Sequence, residues 1–174
     1  MSATPAYVRN ARFDIVAANR PCFALYAGIL APSALPFSLA RFVFLDPRST
    51  AFFADWETIG DDITAALRIE AGKGPRDAGL NELVGELATD SREFATRWSR
   101  DDVRLHRTAR KRLNSQLVGE IELTGDALEL PGEDLTLIVY TAEAGSRAQQ
   151  QLDLLASWSA DPPTRVPEHV PGGG

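Results

Sequence analysis

The side chains in this sequence that could perform chemistry are few: two histidines, His106 and His169, and one cysteine, Cys22. Acid–base catalysis needs two groups within hydrogen-bond reach, and a metal site needs several ligands at recurring spacing. Neither histidine has a ligand-type neighbour at such a spacing. Cys22 lies between Pro21 and Phe23, the surroundings of a small core residue rather than of a nucleophile. Asp61-Asp62, Asp101-Asp102 and Glu133-Asp134 are adjacent pairs, which diverge on a helix and stay solvated on a turn. No glycine-rich loop has the form that cradles phosphate. The sequence therefore points away from an enzyme; one acting on a small apolar substrate would have to recruit Tyr26, His106 or Cys22.

Two other residue groups could recognise a ligand. The first is a set of large rings: Phe13, Phe23, Tyr26, Phe42, Phe44, Phe52, Phe53, Trp56, Phe94, Trp98 and Tyr140. Rings in this number, without a catalytic set, suit either a plain core or a cavity for an apolar molecule. The second is the basic run Arg104, Arg107, Arg110, Lys111 and Arg112, with His106 inside it. That run reads as a contact to a DNA backbone, as an anchor for a ligand carboxylate, or as the charged edge of a sheet. The chain as a whole is acidic, with 18 Lys plus Arg against 24 Asp plus Glu and a net charge of −6, so it should repel nucleic acid. A lone cysteine excludes an internal disulfide, no stretch has the pattern of a signal peptide, and none approaches the roughly 18 apolar residues of a membrane span. A cytoplasmic protein is the expectation.

The 174 residues suffice for one domain with a sizeable core. From Tyr7 to Tyr26 the pattern predicts strand, turn at Asn10-Ala11-Arg12, strand, and a helix capped by Asn19 with Pro21 in its first turn. Leu39 to Leu45 predicts a helix or an irregular apolar segment. Trp56, Ile59, Ile63, Ala66 and Leu67 recur at helical spacing until Gly72-Lys73-Gly74-Pro75, and Leu80, Leu83, Val84 and Leu87 mark a second helix. A third begins at Asp90-Ser91, with Asp90 and Glu93 at capping-box spacing and Phe94 paired with Trp98. The period then changes to two. Strands are expected around Val103 and Leu105, over Leu117 to Leu123, and over Leu135 to Tyr140, with reversals at Thr124-Gly125-Asp126 and Pro131-Gly132-Glu133-Asp134. Ser146 and Gln149 open a last helix lined by Leu152, Leu155 and Trp158. These elements predict a folded domain over residues 5–160 and a disordered Pro/Gly-rich tail over 161–174.

An ordered set of short stretches runs through this domain. It comprises the segment from Val8 to Asn19, Phe44-Leu45-Asp46-Pro47, Asp55-Trp56-Glu57 and Ala65-Ala66-Leu67-Arg68. It continues with Leu83-Val84-Gly85-Glu86-Leu87, Phe94-Ala95-Thr96-Arg97-Trp98, Asp102-Val103, Val118-Gly119-Glu120 and Val139-Tyr140-Thr141-Ala142-Glu143. In this order, from about Tyr7 to Leu155, the chain resembles the ligand-binding domain of the MmyB-like transcription regulators, bacterial proteins in which an XRE-type helix-turn-helix precedes a PAS-like sensor. The resemblance implies an α+β fold: a PAS-like antiparallel sheet with an inserted set of helices and a C-terminal helix. It also implies a pocket for a long-chain fatty acid and no other cofactor. A dozen methylenes would contribute near 10 kcal/mol before ordering costs, at about 0.8 kcal/mol each.

On that reading Asn19 and Arg41 are candidates for the head group, with a plain helix cap and a surface cation as their alternatives. Phe23, Tyr26, Phe44, Trp56, Trp98 and Tyr140 are candidates for the apolar wall. Ser115-Gln116 replaces the His-Pro pair frequent in the family, and Thr124-Gly125 replaces an Asp-Tyr, so the ligand could differ. With only Met1 to Thr4 ahead of the sensor-like part, the helix-turn-helix is expected to be absent from this chain, and DNA contact to run only through such a unit. The rival expectation is a dimerisation or interaction module whose interior is filled by side chains, with the sheet and the last helix in a homodimer interface.

Overall fold

A computed structural model describes residues 4–74, 77–100 and 108–159. The N-terminal hairpin joins β1 (Ala6–Asn10) to β2 (Asp14–Ala18), antiparallel, with a bulge between Val8 and Arg9. Its corner is built by Asn10. The side-chain oxygen of Asn10 accepts from the backbone N–H of Arg12 and of Asp14, at 3.0 Å each. This local bonding holds Phe13 in the left-handed region (φ 62°), which costs a bulky residue and persists only under tertiary restraint. The restraint is visible, since the Phe13 ring is buried and the Arg9 guanidinium lies 3.8 Å above its centre.

Asn19 begins α1 (Arg20–Leu25) as the spacing predicts. Its side-chain oxygen accepts from the N–H of Cys22 and of Ala6, both at 3.1 Å, and its amide donates to the Thr4 carbonyl at 2.7 Å. One side chain thus caps the helix and ties it to β1. There follow β3 (Phe37–Ser38), α2 (Leu39–Leu45), α3 (Ser49–Phe52), α4 (Trp56–Gly72), α5 (Ala78–Asp90) and α6 (Arg92–Trp98). The segment 39–45 is therefore a helix, started by the Ser38 hydroxyl on the Arg41 N–H. For α6 the cap is Ser91, whose hydroxyl accepts from the Phe94 N–H at 3.1 Å, and not Asp90, which is the last residue of α5. The sharp passage from α5 to α6 leaves one residue between them, and that residue takes the cap.

The second half is β4 (Thr108–Ser115), β5 (Gly119–Leu130), β6 (Leu135–Thr141) and α7 (Arg147–Ser159). Antiparallel pairing gives one curled six-stranded sheet in the order β3-β2-β1-β6-β5-β4, the α+β, PAS-like architecture expected. The reversal expected at Thr124-Gly125-Asp126 is not a turn, because these residues pair inside β5 with Thr141, Tyr140 and Val139. The turn between β4 and β5 lies instead at Gln116, Leu117 and Val118, so Leu117 is exposed rather than in a strand. Pro131 to Asp134 does form the β5–β6 turn, where Gly132 has the positive φ of 78° that glycine adopts freely. Val103, Leu105, His106, His169, Arg104, Arg107 and the tail from Asp161 lie outside the described residues.

The core is one cluster between the concave face of the sheet and the helices. Tyr7, Ile15, Leu113, Ile121, Leu123, Ile138 and Tyr140 enter it from the strands, and Cys22, Leu25, Tyr26, Ile63, Leu67, Leu87 and Phe94 from the helices. At about 1.5–3 kcal/mol for each fully buried large apolar side chain, this packing supplies the main driving force. Burial raises the Cys22 thiol to about 12, so it remains a neutral core residue.

Candidate functional site

Strand parity decides which side chains meet at the centre of the concave face. Tyr7 on β1 is paired with Ile138 on β6, Ile138 with Ala127 on β5, and Tyr140 with Gly125, so all five point to one side. From β4, Ala109 pairs with Gly125 and Lys111 with Leu123, which turns Lys111 inward while Arg110 and Arg112 face out. The basic run is thereby divided. Arg110 and Arg112 lie on the sheet edge and pair with Glu122 (3.2 Å) and Asp55 (2.6 Å), whereas Lys111 enters the interior. Opposite, Ile59, Asp62, Ile63 and Ala66 form one face of α4 at helical spacing.

Between these two surfaces lies a cavity of about 80 Å³, lined also by Arg9, Phe13, Tyr26, Leu39 and Phe53. Its upper wall is a tyrosine cluster. The Tyr26 and Tyr140 hydroxyls are 2.7 Å apart, and the Tyr7 ring centre stands 6.4 Å from that of Tyr26 and 6.1 Å from that of Tyr140. Burial raises Tyr7 to about 12 and lifts Tyr26 and Tyr140 well above 10, so all three are protonated and can donate hydrogen bonds.

Two cations reach the same space. The Lys111 ammonium is 5.7 Å from the Tyr140 ring centre, and burial lowers its pKa, with Arg9 adding to the shift and Asp62 opposing it. Arg9 is shifted the same way by burial, and its Nη1 donates to the Asn10 carbonyl at 3.2 Å. Gly125 makes room for the lysine: a Cβ there would lie 3.4 Å from both Lys111 Cε and Tyr140 Cε1, so a longer side chain would occupy the cavity.

A wider groove of about 540 Å³ adjoins the cavity and shares Arg9, Ala66 and Ala127 with it. It passes Ile69, Leu130 and Leu135 to the β5–β6 turn, where Glu70, Glu129, Glu133 and Asp134 line its rim with Lys73. Cavity and groove thus lie side by side across a seam of Arg9, Ala66 and Ala127, with Lys111 on the cavity side and the carboxylates at the far end of the groove.

Of the residues read from the sequence, Tyr26 and Tyr140 line the cavity. Asn19 is occupied as a helix cap, with its oxygen and its amide both bonded to backbone groups. Arg41 is on the surface, where its Nε and Nη2 bond Glu86 at 2.9 and 2.8 Å beside a shallow depression. Phe44, Trp56 and Trp98 gather around Phe94 between α2, α4 and α6, with Phe44 and Phe94 ring centres 5.1 Å apart and Phe94 stacked on Trp98 at 5.4 Å. Phe23 packs on α1 against the core. Tyr7, Arg9 and Asp62 line the cavity without having been read as ligand residues, whereas Lys111 comes from the basic run read as a possible carboxylate anchor. Lys111 had a signal in the sequence, since it shares the parity of Ala109 and Leu113, the apolar side of its strand.

The family model for the MmyB-like transcription regulator ligand binding domain matches residues 1–155. The chain belongs to that family. No curated protein matches it. The span that matches the MmyB-like domain reaches into α7 and contains every residue lining the cavity and the groove. The domain is thus a ligand-binding domain of a transcription regulator, and no helix among its described residues is long and apolar enough to cross a membrane.

Proposed function

We infer that this MmyB-like domain senses an apolar small molecule, a long-chain fatty acid or a similar amphiphile, taken up between the concave face of the sheet and α4. The observation that carries the reading is the pair of hollows themselves: an inner cavity walled by Tyr7, Tyr26, Tyr140, Ile63 and Ile138, beside a larger groove that shares Arg9, Ala66 and Ala127 with it. The inner cavity, at about 80 Å³, is well below the roughly 300–1,000 Å³ of drug-sized ligand pockets. Uptake of a long chain therefore moves α4 from the sheet or fills the groove. Either change alters helix packing, and a ligand with unequal affinity for the two arrangements shifts their populations. Through that shift the ligand biases a helix-turn-helix unit that binds DNA. In this reading the protein acts by binding, without catalysis.

A second reading, homodimerisation through α7, is favoured by the exposure of Leu154 and Trp158 on that helix. Native mass spectrometry of the purified protein, followed by thermal unfolding with added fatty acids of graded chain length, tests the sensor reading. The expected result is a bound lipid mass or a Tm that rises with ligand concentration. An empty protein whose Tm ignores every chain length would overturn it.

A further inference from the structure

We propose that the cleft takes its ligand as a monoanion in one orientation, with an oxyanion head at Lys111 under Tyr140 and an apolar body passing Arg9, Ala66 and Ala127 into the groove. This rests on the sensor reading and adds the ligand's charge and its direction.

Lys111 is half-buried in the cavity wall, so its ammonium loses part of its hydration and gains from a carboxylate or a ligand beside it. Among the described residues no carboxylate is in ion-pair contact with Lys111; the groups that act on it are the Tyr140 ring, Asp62 on α4 and Arg9 on β1. Among the described residues the cavity lining holds two cations, Lys111 and Arg9, and one carboxylate, Asp62; Arg9 also faces Glu70 and Glu129, so Lys111 is the cation that an added anion would meet. Hydrogen-bond donors stand beside it. The Tyr26–Tyr140 contact uses one of the two hydroxyl hydrogens, and the other can donate to a further acceptor.

The mouth has the opposite character. Four carboxylates, Glu70, Glu129, Glu133 and Asp134, line the groove with Lys73, which is already bonded to Glu70 at 2.8 Å. A negative head is thus repelled at the mouth and attracted at the inner end. Between them the seam offers the small side chains of Ala66 and Ala127 and the aliphatic stem of Arg9, whose head lies over Phe13. Lowering of the Lys111 pKa by burial accords with this arrangement, because a bound anion would recover the cost of keeping the ammonium charged.

The test compares dodecanoate with dodecanol, two probes of equal chain length, by titration calorimetry on the lipid-stripped full chain. Wild type is expected to bind the acid at least about tenfold more tightly than the alcohol. Lys111→Met should weaken the acid about 10–100-fold, the loss of a charge-assisted hydrogen bond, and leave the alcohol unchanged. Lys111→Gln replaces it if the methionine variant does not fold. Ala127→Phe, which narrows the seam, should weaken both probes. Equal affinity for acid and alcohol, or a Lys111 variant that binds dodecanoate as wild type does, overturns this inference while leaving the sensor reading intact. An Ala127→Phe variant with unchanged affinities overturns the proposed path of the body. Failure of wild type to bind either probe overturns both readings.

Discussion

Protonated tyrosines in a low-dielectric pocket are worth most as a set. Tyr26 and Tyr140 share a 2.7 Å hydroxyl contact in full burial, so removing one hydroxyl strands the other. Tyr140→Phe or Tyr26→Phe should therefore destabilise the domain by about 1–3 kcal/mol each. The double variant should cost less than the sum of the two, because no stranded group is left. Urea unfolding of the four proteins forms the double-mutant cycle, and strict additivity would show that the hydroxyls do not act together. Asn19 illustrates the other use of a polar side chain. It spends its hydrogen bonds on Thr4, Ala6 and Cys22, which makes it the joint between strand and helix.

Among the elements, α4 bears on function most directly, since one face closes the cavity and its N-terminal half carries α6. That second contact is centred on Arg97, which is 8% exposed and bonds three acids: Glu57, Asp61 at 2.9 Å and Glu93 at 2.9 Å. Its guanidinium also lies 5.0 Å from the Trp56 ring centre. The three carboxylates are themselves largely exposed, so losing the arginine returns them to water instead of stranding them. Arg97→Ala is accordingly expected to cost about 2 kcal/mol, and to speed amide exchange in α6 more than in β5 or β6. Uniform acceleration across the sheet would mean that α6 and the sheet open as one unit. Strand β4 is fastened to the N-cap of α4 by the Arg112–Asp55 pair and to α3, just before it in the chain, by the Asn114 amide on the Ala51 carbonyl at 2.6 Å. The Arg112 hydrogen bonds hold Asp55 below its usual carboxylate range, so the stability it contributes is present at neutral pH and is lost as pH falls through that lowered value.

For the whole molecule, the question is whether the outer face of α7 meets a second copy. The sequence suggests Leu152, Leu155 and Trp158 as one apolar stripe, but they do not share an environment. Leu152 and Leu155 are buried in the core, at 4% and 0% exposure, while Trp158 is 54% exposed beside Leu154 at 48%. Leu152→Asp therefore reports on folding and should cost more than about 4 kcal/mol. Trp158→Asp should leave stability within about 0.5 kcal/mol, so it isolates association. Sedimentation at increasing concentration decides: a wild-type dimer that Trp158→Asp dissolves supports the α7 interface, and a concentration-independent monomer removes it. The net charge of −6 over the whole chain is expected to repel nucleic acid.

The sequence by itself determined the local features, because their causes lie within a few residues of one another. The Asn10 corner, the Asn19 cap with Pro21, the α4 stripe from Ile59 to Leu67 and the Pro131–Asp134 turn all follow from short-range bonding and periodicity. The order of short motifs likewise sufficed to recognise the family. Where local patterns competed, they misled: Ser91 took the cap from Asp90, and Thr124-Gly125-Asp126, turn-like in composition, is strand because β6 pairs with it. Only the tertiary structure decided which charges face inward. Lys111 is flanked by Arg110 and Arg112, and although it shares the parity of Ala109 and Leu113, only the register with Leu123 assigns that parity to the concave side of the sheet. The cleft has the same origin. Its walls come from β1, β4, β5, β6 and α4, segments whose positions relative to one another are set by strand pairing and helix packing across the whole chain.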